Sequence, residues 1–191
     1  MTKGRLEAFS DGVIAILITV MVLEFKVPRE ADWQALRALA PSFFTYTLSY
    51  VFLGIYWSNH HHMLHATARI NGKILWANLH LLFWLSLVPL ATGWMGEHHF
   101  ASLPAALYGT LLLASAIAYK ILQNQIVALE GPDSKLGRAV GRDLKGKISP
   151  LLYLVAIPLS FVQRWAALAI YVLVAVMWLV PDPRIESHLE S

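Results

Sequence analysis

The sequence predicts an all-α membrane protein with six transmembrane helices, organised as a single transmembrane domain over residues 1–191. Three observations predict this class. The chain is 57% hydrophobic and 14% charged, where soluble domains run at ~45–50% and ~25%. Six apolar segments come near the ~20 residues that a helix needs to cross the hydrocarbon core, at 8–25, 39–58, 75–95, 101–122, 148–162 and 165–180. Lysine and arginine are divided unevenly between the two sides of these segments, as they are around membrane helices.

The first segment opens with Arg5-Leu6-Glu7-Ala8-Phe9-Ser10-Asp11-Gly12, runs apolar to Leu23 and closes on Glu24 and Lys26. Lys3 and Arg5 ahead of an apolar run resemble the start of a signal peptide. Asp11 interrupts that pattern, however, and Val22-Leu23-Glu24-Phe25-Lys26 offers no small-residue cleavage site, so the segment reads as a retained span. Pro89 in the third segment and Pro158 in the fifth should each kink a helix or free a carbonyl. The last two segments are short and joined by Gln163-Arg164, which predicts a tight helical hairpin. Trp57, Trp76, Trp94, Trp165 and Trp178 fall near segment ends, the depth that interfacial aromatics prefer. The loop 127–146 carries Gly131, Gly137, Gly141 and Gly146, which argue against a folded extra domain there.

Orientation follows from charge. With the N-terminus inside, Lys3, Arg5, Arg69, Lys73, Lys120, Lys135, Arg138, Arg142, Lys145, Lys147 and Arg184 are cytoplasmic, and Lys26, Arg29, Arg37 and Arg164 are outside, 11 against 4. Both termini are therefore expected in the cytoplasm. The net charge of +3 reports topology; the basic residues do not cluster with exposed aromatics, and no nucleic-acid partner is expected. The stretch from Lys135 to Lys147 reads as ordinary positive-inside charge, with recruitment of anionic lipid headgroups as the sharper alternative. Cysteine is absent, which excludes a disulfide framework and a thiolate metal site.

The first segment is also where function is to be sought, because an ionisable group inside a membrane-length helix is a functional-site hypothesis by default. The plainer alternative is that Ser10 caps the helix while Asp11 sits among headgroups and complements the helix dipole. At 3.6 residues per turn, Gly12, Ile16, Thr19, Val20 and Leu23 form one continuous stripe. Such a stripe can pack against a neighbouring helix. Around a symmetry axis it would instead build stacked rings, and narrow apolar rings gate ions by dewetting. The pattern alone leaves both open.

Arg5-x-x-x-Phe9-Ser10-Asp11-Gly12 followed by Ala15-Ile16-x-x-Thr19-Val20 resembles the first-helix signature of the transmembrane protein 175 family of potassium-permeable channels. The similarity continues in Tyr56-Trp57-x-Asn59-His60-His61 and in Trp76-x-Asn78-Leu79-His80-Leu81-Leu82 with Pro89-x-x-Thr92. It covers the first three segments well and the last three only in length and hydropathy. The resemblance implies a single transmembrane channel domain whose first helix lines a central pore. Ile16 would be the hydrophobic constriction, Thr19 a polar ring favouring potassium, and Val20 and Leu23 further narrow rings. Arg5, Phe9, Ser10 and Asp11, with Gly12, Asn78 and His80, would form the structural motif that holds the pore helix against segments two and three. Arg5, about 9 Å from Asp11 along the axis at ~1.5 Å per residue, is an expected partner of that carboxylate, and Asn78 and His80 are others. The motif occurs once, so four copies are expected around a closed cyclic pore. The partners implied are potassium ion, the lipid bilayer and the chain itself, with no cofactor, in a prokaryotic plasma membrane.

His60, His61, His62 and His65 crowd the cytoplasmic end of segment two. His61 and His65 have the i, i+4 spacing that can grip a metal on one helix face, but no third ligand or His-Glu-x-x-His pattern accompanies them, and no metal centre is expected. A solvated, pH-responsive cluster is the plainer reading. No catalytic serine, phosphate-cradling glycine loop or carboxylate pair appears, so no enzyme activity is expected. The competing reading from another class is a proton-coupled secondary transporter using Asp11 and His80. It would need a broken midplane helix and internal repeats, and neither the centre of segment one nor the second half of the chain supplies them.

Overall fold

Start and stop residues account for several helix boundaries. The structure, a computed structural model, describes residues 2–132, 134, 136–138 and 144–179. Helix α1 spans Lys3–Leu23, one and a half turns earlier at its start than the apolar run suggests, because Arg5 and Glu7 are compatible with helix. A short α2, Trp33–Ala38, is capped by Asp32, whose Oδ1 accepts the Ala35 N–H at 2.8 Å. Nothing in the hydropathy pattern announced it. Helix α3, Ala40–His65, starts with Pro41 in its first turn, where a missing N–H costs nothing, and continues two turns past the expected end through all four histidines.

The third expected span is two helices. Asn71 caps α4, Gly72–Ser86, by accepting the Ile74 N–H at 2.9 Å, and α5 covers Val88–Glu97. Leu87 separates them, two residues before Pro89, as expected from a ring that clashes with the carbonyl four residues back. Helix α6, Ser102–Glu130, ends at Gly131 with φ 99°, a conformation that favours glycine. Helix α7, Leu144–Val162, runs unbroken past both Pro150 and Pro158; with no N–H on Pro158 the carbonyl four residues back lacks its helical donor. Only Gln163 separates it from α8, Arg164–Leu179, and the Gln163 carbonyl accepts the Ala166 and Ala167 N–H groups, closing the expected hairpin.

Among the described residues, four helical stretches are long and apolar enough to cross a membrane: Lys3–Leu23, Gly72–Glu97, Ser102–Glu130 and Leu144–Val162. Of the six expected spans, the remaining two correspond to α8, which has 16 residues, and to α3, which has the length but carries serines, threonines, Asn59 and the histidines. The chain is an integral membrane protein. Lys135, Arg142, Arg184 and Gly141, and the end of the sixth expected segment at Val180, lie outside the described residues.

Two apolar cores share α3 and α6. One joins α3, α5, α6, α7 and α8 through Phe52, Met95, Tyr108, Leu112, Tyr153 and Tyr171. The other joins α1, α3, α4 and α6 through Leu6, Ile14, Leu17, Leu53, Leu81 and Leu122. Hydroxyls of Ser49, Thr92 and Tyr108 bond to one another inside the first core, at 2.6 and 3.0 Å, which satisfies groups that would otherwise be costly to bury. Backbones approach closely at Gly96, where a Cβ would lie 2.8 Å from the Ser42 Cα, and at Gly109, where it would strike the Tyr171 hydroxyl.

Candidate functional site

Helix α1 packs chiefly on α3, α4 and α5 and divides into two faces. Leu6, Ser10, Ile14, Leu17 and Met21 are buried, at spacings of four, four, three and four that keep them on one side of the helix. The opposite side holds the stripe singled out in the sequence. Ile16 is 60% exposed and Leu23 80%, Gly12 and Thr19 are exposed, and Val20 is half-buried. Packing within the chain therefore does not consume the stripe. The Thr19 hydroxyl donates to the Ile16 and Ala15 carbonyls at 2.9 and 3.2 Å, so its oxygen keeps its lone pairs for other use.

The buried face is fastened by a polar chain through three helices. Ser10 Oγ donates to the Leu6 carbonyl at 2.8 Å, so Ser10 is an interior residue of α1 and not the cap considered from sequence. Its oxygen accepts from Asn78 Nδ2 of α4 at 2.9 Å. The Asn78 Oδ1 in turn lies 2.6 Å from His60 Nε2 of α3, and that amide orientation makes Nε2 the donor. Ser10, Asn78 and His60 are 0%, 0% and 1% exposed, so each hydrogen bond satisfies a group that water cannot reach.

Several expected contacts differ. Asp11 Oδ1 accepts from Trp57 Nε1 of α3 at 3.0 Å, and not from Arg5, Asn78 or His80. Arg5 is exposed and Phe9 is 49% exposed; within the chain, Leu6 and Ser10 do the fastening expected of those two neighbours. His80 accepts from Trp84 Nε1 on its own helix at 2.8 Å. Asp11 and His80, the pair that a transporter would use, are bonded to separate tryptophans. His60 and Trp57 were the missed anchors. The buried His60 imidazole needs a partner, a signal that marks it as bonded but does not say to what; Trp57 is 46% exposed and carries no such signal.

At the far end of α1, Lys26 Nζ meets Glu97 Oε1 at 2.6 Å in an exposed pair. The hydrogen bond to Glu97 and then its charge raise the Lys26 pKa above the usual lysine value, and both groups remain in solvent.

Comparison with known proteins bears on this arrangement. Residues 5–89, which contain all but the first two residues of α1, with α3, α4 and the whole polar chain, match the profile of the family described as endosomal/lysosomal potassium channel TMEM175. A potassium channel of Chryseobacterium sp. (strain P1-3) is 54% identical over 191 residues, covering 100% of both chains. A potassium channel of Streptomyces collinus is 33% identical over 204 residues, covering 99% of this chain and 98% of that one. The crystal structure of a lysosomal potassium-selective channel TMEM175 homolog from Chamaesiphon minutus matches with a TM-score of 0.83 at 31% identity, over 93% of this chain and 96% of that one. With full-length relatives above 30% identity, a matching fold and Ser10 of the first-helix signature held in a buried hydrogen-bond chain, this chain belongs to the TMEM175 family.

Proposed function

We propose that this chain is a potassium-permeable channel in which four copies surround a central pore lined by α1. The relatives that match it from end to end are potassium channels. The observation that carries the reading is the division of α1 into a fastened face and a free one. The free face bears Ile16, Thr19 and Leu23 in line, with half-buried Val20 at its edge, and a fourfold axis along it would stack these side chains as rings.

Each ring has a physical task. Ile16 forms the hydrophobic constriction, narrow enough to gate by dewetting. Thr19 follows about one turn deeper, and because its proton is held by the Ile16 carbonyl, its oxygen faces a permeating cation as a partial substitute for water. Val20 and Leu23 complete the apolar lining. The chain is a single transmembrane channel domain with α3 and α8 as the fifth and sixth crossing helices, both termini in the cytoplasm of a prokaryotic cell, and no cofactor. Passive conduction needs no coupled proton, and no contact between Asp11 and His80 supports the transporter alternative.

The test is potassium flux from purified protein in liposomes, comparing wild type with Ile16→Asn. Passive flux that rises and loses selectivity in the variant supports the pore. Flux that requires a second gradient, or that ignores Ile16, sinks it and favours a transporter built on Asp11.

A further inference from the structure

The last turns of α3 hold a constellation that the proposed pore does not use. Because α3 stays helical to His65, His61 and His65 stand one turn apart on one face. Their rings are stacked, 17° apart in plane with centroids at 6.1 Å. Both side chains are exposed, and no ring nitrogen of either is hydrogen-bonded among the described residues. His62 is different: its ring meets that of His61 edge-on at 70° and, one residue on, points about 100° away around the helix. His60 is buried and already bonded to Asn78.

We propose that His61 and His65 form a binding site for a divalent transition ion of borderline softness, Zn2+, Ni2+ or Cu2+, with water completing the coordination. Neutral imidazole suits these ions, and i, i+4 is the spacing at which two histidines on a helix share one metal. Nitrogen–metal bonds of ~2.0–2.1 Å need the two nitrogens about 3.3 Å apart at a tetrahedral angle. The exposed rings reach that separation by swinging out of their stacked arrangement, which parts His61 from the Trp57 ring it stacks on at 6.0 Å.

The surroundings favour a cation. The pair sits at the C-terminal end of α3, the negative end of the helix dipole. Two contacts fix the antiparallel register of α1 against α3: Lys3 Nζ donates to the His65 carbonyl at 3.0 Å, and Trp57 bonds Asp11. Midway between these levels, Glu7 stands opposite His61, and its carboxylate lies 3.8 Å from Lys3 Nζ, so that the nearest lysine is partly offset. No group of three ligating side chains gathers among the described residues. The site is therefore a two-histidine chelate of moderate affinity, tightest for Cu2+ by the Irving–Williams order.

The experiment titrates Cu2+ into the full-length, tag-free protein in detergent, followed by electron paramagnetic resonance, with Ni2+ calorimetry in parallel. Wild type is compared with His61→Gln, His65→Gln and His62→Gln, all exposed or half-buried positions, after checking that each elutes as wild type does. The expected result is one ion per chain with nitrogen coupling from two imidazoles, weakened about tenfold or more by either His61→Gln or His65→Gln, a loss of roughly 1.4 kcal/mol, and unchanged in His62→Gln. Binding that is undiminished in His61→Gln or in His65→Gln, that falls equally in His62→Gln, or that is absent in wild type overturns the proposal.

Discussion

Asn78→Ala tests how α1 is held. The side chain is fully buried between α1, α3 and α4 and makes two interhelical bonds, to Ser10 at 2.9 Å and to His60 at 2.6 Å. Measured interhelical bonds in membrane proteins average ~0.6 kcal/mol each, so the two are worth ~1.2 kcal/mol. Truncation also strands the His60 Nε2–H where water cannot reach it, adding ~1–3 kcal/mol. Ser10 loses less, since its proton still reaches the Leu6 carbonyl. The sum is ~2–4 kcal/mol, and at ~2–4 °C per kcal/mol for a chain of this size the midpoint should fall by roughly 5–15 °C. Seven tryptophans allow the transition to be followed by intrinsic fluorescence in detergent. Ser10→Ala and the double variant complete a cycle, whose coupling should be ~0.6–1.7 kcal/mol. A midpoint drop under about 2 °C, or strict additivity of the two changes, would refute the view that this chain of bonds fastens the helix.

Other perturbations separate the remaining contacts. Gly96→Ala puts a Cβ 2.8 Å from the Ser42 Cα, backbone that cannot step aside, and should lower the thermal midpoint through an overpacking cost of ~1–3 kcal/mol. Gly109→Ala drives the Tyr171 phenol off the Ala105 carbonyl that it bonds at 3.1 Å; a cost of at least ~1 kcal/mol is expected in the same melt, with much less in Gly109→Ala/Tyr171→Phe. Asp11→Asn keeps an acceptor for Trp57 while Trp57→Phe removes the donor, so only the second should destabilise if hydrogen bonding is what Asp11 does for the fold. Glu97→Gln, at an exposed ion pair, should leave the melt unchanged, since such pairs contribute little.

The two sides of α1 explain why the proposed site depends on assembly. A helix whose Leu6, Ser10, Ile14, Leu17 and Met21 are buried has a fixed rotation about its axis, because turning it would expose these side chains and break the Ser10–Asn78 bond. With the rotation fixed, Ile16, Thr19 and Leu23 have one direction to face. In the proposed pore, Ser10 and its buried neighbours would act at a distance from the ion path, by setting the angle at which the stripe is presented.

How much of this was legible beforehand depends on the range of the forces involved. Hydropathy and charge, summed over whole segments, gave the all-α membrane class and the segment order, and Pro89 announced the break between α4 and α5. The stripe of α1 was readable because its residues lie within one helix, where 3.6-residue periodicity alone decides which share a face. Short-range reading failed where helix extends past the apolar run or starts without one: α3 carries its helix on through the histidines, and α2 forms behind the Asp32 cap. Partners across helices were out of reach. Asp11 goes to Trp57 and not to Arg5, and Ser10 reaches His60 through Asn78, 68 positions from Ser10 along the chain. A hydrogen bond needs its two atoms within about 3 Å, and that depends on how α1, α3 and α4 cross and rotate, a choice made by the packing of dozens of side chains together. Sequence determined which groups require partners; only the tertiary structure decided which partner each one met.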